Sequence, residues 1–213
     1  MLTGVLCVIA AVAAVGNWAA TATANQRFDW ITKPTATAAL LVIAASASGA
    51  AHPARPWWIV AFVGCLAGDV LLMLPSDRFV PGLVAFLAGH VAFVIGMVQL
   101  QPHGPARPVR IALAGATVIG EAVVVAWPVV GKVRRDEPGL VVPLVAYMLT
   151  IWTMLAMAAL RTGWWGIAGA VLFSVSDSII AWERFVQTRR WMGPTVMITY
   201  HGALVGLLLA LFH

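Results

Sequence analysis

GDVLLMLPSDRFVPGLVAFLAGH, residues Gly68–His90, is the stretch on which the fold turns. Two apolar runs meet at Pro75-Ser76-Asp77-Arg78, a cluster of turn-forming residues. The stretch therefore reads as the end of one membrane helix, a tight turn and the first half of the next. Asp69 falls about one turn inside the first helix, and His90 about three turns into the second. An ionisable side chain near the middle of a bilayer costs roughly 2.5–3.5 kcal/mol on insertion scales, so both residues mark a candidate site.

Outward from this hairpin the rest of the chain has the same character. Of its 213 residues 62% are hydrophobic and only 10% charged, and mean hydropathy is +0.93. A helix needs about 20 apolar residues to cross the hydrocarbon core. Eight such segments can be drawn, at about 2–20, 33–51, 56–74, 79–100, 110–129, 139–160, 164–182 and 193–212. The expected fold is all-α, a polytopic membrane protein whose single domain is a bundle of eight transmembrane helices. It would have seven if the first were cleaved as a signal peptide, but MLTG offers no basic n-region. Lys33-Pro34 is expected to open segment two, because a first-turn proline forfeits no hydrogen bond. Gln101-Pro102-His103-Gly104-Pro105 should end segment four, and GKVRRDEP and ERFVQTRRW read as charged loops. Cys7 and Cys65 lie in apolar segments and suggest no disulfide framework.

The net charge of +5 arises from 13 Lys/Arg against 8 Asp/Glu. The basic residues are scattered through short loops, without the basic face that a nucleic-acid partner requires. They fit better as topology determinants. Connections 1–2, 3–4, 5–6 and 7–8 hold Arg27, Lys33, Arg78, Lys132, Arg134, Arg135, Arg184, Arg189 and Arg190; the others hold Arg55, Arg107, Arg110 and Arg161. The positive-inside rule then puts the richer set in the cytoplasm and both termini outside, in an inner or plasma membrane. Small residues four apart (Gly64 and Gly68, Ala85 and Gly89, Gly166 and Ala170, Gly202 and Gly206) would let segments three, four, seven and eight approach closely.

Counted from the cytoplasmic end, Lys33 stands at the mouth of segment two, and Asp69 and Asp177 lie about five residues in. Glu121, Tyr147, Tyr200 and His201 lie about eight in, and His90 about eleven. Nearly all fall in one half of the bilayer, which argues for one shared cavity open to the cytoplasm or inner leaflet. Each residue also has a structural reading. Asp69 can bond a neighbouring helix, Ser176 and Ser178 can hold Asp177, the tyrosines can be core aromatics, and Lys33 can snorkel. Glu121, with no motif around it, reads mainly as structural. Two nearby buried carboxylates cannot both ionise, so Asp69 and Asp177 would supply an acid and a base. Such a pair suits an enol ether, a glycosidic bond or aspartyl proteolysis. Asp69, His90, Asp177 and His201 could instead ligate zinc, although no H-x-x-x-H or H-E-x-x-H spacing accompanies them.

Several of these pieces together resemble the YhhN-like family of integral membrane lysoplasmalogenases. The matching residues are Lys33-Pro34, GD at 68–69 with LLML after it, GLVAFLAGH at 82–90 and PLVAY at 143–147, with GIAGAVLFSVSDSIIAWERF at 166–185 and the region of Tyr200. The resemblance implies a hydrolase that cleaves the vinyl-ether bond of a lysophospholipid held in the membrane, with no metal or other cofactor. The family's two acidic positions fall on Asp69 and Asp177. Lys33 would meet the lipid phosphate, and His90, Tyr147 and Tyr200 would orient head group or water. Ser176, Ser178 and His201 complete the expected substrate-binding set. One departure is the run Tyr200-His201-Gly202-Ala203-Leu204, where the family shows roughly YYxAQ. A non-catalytic lipid binder or transporter and a metal-dependent lipid hydrolase are the other readings. A transporter needs a path through both leaflets, and the outer halves of these segments are almost entirely apolar.

Overall fold

The computed structural model of the chain describes residues 2–46, 53–74, 78–101, 104 and 107–212. Among them every regular element is helical: α1 (Leu2–Ala22), α2 (Gln26–Ser46), α3 (Arg55–Met73), α4 (Phe79–Val98), α5 (Arg107–Glu121), a π-helical segment (Ala122–Ala126), α6 (Trp127–Asp136), a 3-10 turn (Pro138–Leu140), α7 (Val141–Arg161), α8 (Trp164–Phe185) and α9 (Met192–Phe212). α5, the π segment and α6 run on as one rod of 30 residues, so the described residues form eight long helical rods. Seven are long and apolar enough to cross a membrane among the described residues; α2, with Arg27, Asp29 and Lys33 in its first half, is the eighth. The chain is an integral membrane protein. Its helical hydroxyls stay compatible with lipid by bonding back to their own ladders, as Thr117 does to Leu113, Thr150 to Ala146 and Thr153 to Leu149.

Two boundaries differ from the sequence reading. α2 begins at Gln26, so Lys33 and Pro34 lie two turns inside it. The start is set by Asn25, whose side-chain oxygen accepts the Phe28 N–H at 3.2 Å as an N-cap. Just before it, Ala24 takes a left-handed φ of 54° and the Asn25 N–H closes α1 on the Ala20 carbonyl. GKVRRDEP is likewise mostly helix, because α6 extends to Asp136 with Arg134 and Arg135 in its last turn, where they oppose the helix dipole. Lys132 pairs there with Asp136 at 2.7 Å. The expected turn at residues 75–77, the end of segment two beyond Ser46, and Pro102, His103 and Pro105 lie outside the described residues.

In lipid, helices associate by close packing rather than by the hydrophobic effect, so their small residues decide which pairs are tight. α3 meets α4 where a Cβ on Gly64 would stand 2.9 Å from the Gly89 Cα and the Ala85 carbonyl. α8 meets α9 through Gly169, not Gly166: a Cβ on Gly206 would stand 2.8 Å from the Gly169 Cα and the Trp165 carbonyl. Gly166 packs instead on the Thr162 side chain of the preceding connection. The Trp58 indole donates to the Leu207 carbonyl at 2.8 Å and ties α3 to α9. Phe79, opening α4, packs edge-on against Phe185, closing α8. Val129, Val133, Leu144 and Phe185 pack together as a small separate core joining α6, α7 and α8.

Candidate active site

A cavity opens between α3, α4, the π segment, α7 and α8. Its outer wall is apolar and comes from the helix ends that carry the basic connections: Leu72, Phe79, Leu144 and Ala181. Its polar lining is Asp177, Tyr147, Glu121, Ser174 and Ser178. The Tyr147 hydroxyl donates to Asp177 Oδ2 at 2.8 Å, and His90 Nε2 lies 3.5 Å from the same oxygen. The Nδ1–H of His90 donates to the Phe86 carbonyl at 2.7 Å, since a carbonyl can only accept. Nε2 is buried, faces Asp177 and has no hydrogen-bond partner among the described residues.

Asp69 is fully buried and does not border this cavity. Its Oδ2 accepts from Thr37 at 2.6 Å and from Tyr200 at 2.9 Å, and its Oδ1 faces Lys33 Nζ at 3.5 Å. The chain Asp69–Tyr200–Phe173–His90–Asp177 connects the two carboxylates through ring contacts: Tyr200 on Phe173 at 5.5 Å, and Phe173 on His90 at 4.5 Å. At 7% exposure Lys33 is turned inward as the counter-ion of Asp69, because α2 starts early enough to carry it below the surface.

The remaining expected residues divide between site and scaffold. Ser178 borders the cavity, whereas Ser176 donates to the Val196 carbonyl and fixes α8 on α9. Asp177 is held by Tyr147 rather than by either serine. His201 accepts from the Trp18 indole at 3.1 Å, beside the Lys33–Asp69 pair and away from the cavity. Glu121 takes a larger part than its sequence context suggests: its Oε2 accepts from Ser174 at 2.6 Å and from Trp152 at 3.0 Å. Thr37 and Ser174 went unnoticed in the sequence because a buried hydroxyl has no pattern of its own. The one available signal was spacing, since Thr37 follows Lys33, and Ser174 precedes Asp177, by about one helical turn. Among the described residues no three of His, Cys, Asp and Glu gather as a metal-ligand group.

The sequence profile of the YhhN family matches residues 28–211. The chain belongs to the YhhN family. Among curated relatives of this YhhN protein, a lysoplasmalogenase of Mycobacterium bovis is 30% identical over 175 residues, 78% of this chain and 65% of that protein. Human lysoplasmalogenase TMEM86B is 31% identical over 147 residues, 67% and 58% of the two chains. The pig protein of the same name is 33% identical over 141 residues, 65% and 55%. The alignments thus span less than two thirds of each relative's length. No solved structure matches the chain.

Proposed function

We propose that this YhhN protein is a membrane hydrolase for lysoplasmalogens, cleaving their vinyl-ether bond to a fatty aldehyde and glycerophosphocholine or glycerophosphoethanolamine. The observation that carries the reading is Asp177 on the wall of an apolar cavity, braced by Tyr147 and His90. The relatives named lysoplasmalogenase support it. A vinyl ether is inert to base and opens when the vinyl carbon β to its oxygen is protonated, so the demand is for an acid beside a lipid chain. An alkenyl chain entering along Leu72, Leu144 and Ala181 brings its first double bond to Asp177. The carboxylic acid protonates the vinyl carbon, the ether oxygen stabilises the oxocarbenium ion, and water completes a hemiacetal that collapses to aldehyde. Asp69 is the second carboxylate. Its acceptance from Tyr200 and its pairing with Lys33 hold the aromatic wall behind the cavity. By the positive-inside rule the cavity opens on the cytoplasmic side.

The test is aldehyde release from lysoplasmenylethanolamine by the full chain purified in detergent. Asp177→Asn should lower the rate at least about 100-fold, the scale of a lost general acid. Asp69→Asn should also abolish most activity. Near-wild-type release by Asp177→Asn, in a folded protein, would refute the acid role.

A further inference from the structure

Glu121 is the half-buried acid that the Asp69–Asp177 scheme leaves idle, and the geometry points to it as the second catalytic residue, the base that activates the attacking water. This rests on the hydrolase reading above. Three observations support it. Glu121 borders the same cavity as Asp177, which Asp69 does not. Two donors, Ser174 and Trp152, converge on its Oε2 and fix the carboxylate, while Oε1 is buried with no hydrogen-bond partner among the described residues. Glu121 also borders a second, wider groove that runs between α5 and α8 to Gln187 and Arg189. It therefore stands where an outer groove meets the reaction cavity.

Backbone geometry supports the same assignment. Pro128 lacks the N–H that would bond to Val124, and its ring crowds that carbonyl. The ladder widens directly upstream, where the Trp127 N–H reaches back five residues to Ala122. The resulting π segment begins immediately after Glu121 and sets its direction relative to α6. Such single-turn widenings recur at functional sites.

The chemistry balances with these two acids. Protonated Asp177 gives its proton to the vinyl carbon, using the double-bond electron pair, and becomes a carboxylate. Water attacks the oxocarbenium carbon and passes a proton to ionised Glu121. The hemiacetal O–H then returns a proton to Asp177 as the carbonyl forms. Glu121 gives its proton to the departing glycerol oxygen, and both residues regain their starting states.

Glu121→Gln is the informative variant, because the amide oxygen can still accept from Ser174 and Trp152 while the basic Oε1 is replaced. With lysoplasmenylethanolamine and purified full-length protein, kcat should fall about 100-fold or more while KM stays within about threefold. The thermal midpoint in detergent should not change. Glu121→Ala should be rescued several-fold by added formate, a response that wild type and Asp177→Asn do not show. Glu121→Gln retaining more than about a third of wild-type kcat would overturn the assignment, as would a Glu121→Ala protein that is folded but deaf to formate. Inactive wild type would reject the hydrolase reading and this role together. Active wild type with active Glu121→Gln rejects the role alone.

Discussion

Lys33 and Asp69 show how much a single side chain's setting matters in this bundle. Both are buried, and their charged atoms stand 3.5 Å apart. Breaking a buried pair by removing one partner strands the other charge, at a cost of about 3–5 kcal/mol. Lys33→Met should therefore lower thermal stability in detergent markedly, and adding Asp69→Asn should restore at least half of the loss. Additive losses in the double variant would show that the two residues are not coupled. Asn17 follows the same logic on a neutral scale: wholly buried, it donates to Asp29 at 2.6 Å and to Thr32 at 3.3 Å, joining α1 to α2. Lys33, Asn17, Glu121 and Asp177 each meet a partner from another helix, which offsets the insertion cost of such residues.

At the scale of the element, the helices are set by small residues and by proline. Gly206→Leu would drive a side chain into the α8 backbone and should destabilise the protein by about 1–3 kcal/mol or prevent folding. Gly115→Leu is its control, since a side chain there meets no neighbouring atom and should leave the melting midpoint unchanged. Equal behaviour of the two in thermal unfolding would contradict the α8–α9 seam. The π segment offers a second test. Val124 is exposed, so deleting it removes little burial. The deletion lets the rod close to a regular α-helix and turns Glu121 out of register with α6, about 100° for one residue. Aldehyde release should be lost while helicity by circular dichroism is retained. Retained activity would mean that the π turn has no part in placing Glu121.

For the whole molecule, the end of the bundle that carries the basic connections is also the end where the cavity opens. In a Cys7→Ser background, whose remaining Cys65 is buried, a cysteine at Glu137 or at Gly163 reports on opposite ends. An impermeant maleimide added to right-side-out vesicles should label the Gly163→Cys protein and spare the Glu137→Cys protein. The reverse pattern would invert the topology. Much of this architecture was readable in one dimension. Hydropathy runs of helical length have one stable form in lipid, where every backbone N–H and C=O must bond within its own segment. That is why eight helical segments, the Gly64–Gly89 approach and the singular position of Asp69 and Asp177 stood out in the sequence. Helix ends were less legible, since Asn25 and Pro128 act through local hydrogen bonds that hydropathy does not record. What the sequence by itself determined is the membrane bundle and the set of costly polar residues, because both follow from the price of transferring each side chain into hydrocarbon. Only the tertiary structure decided which acids share a cavity. It placed Glu121 beside Asp177 and put Asp69 behind an aromatic wall with Lys33, since the rotation of each helix about its axis is set by packing against its neighbours.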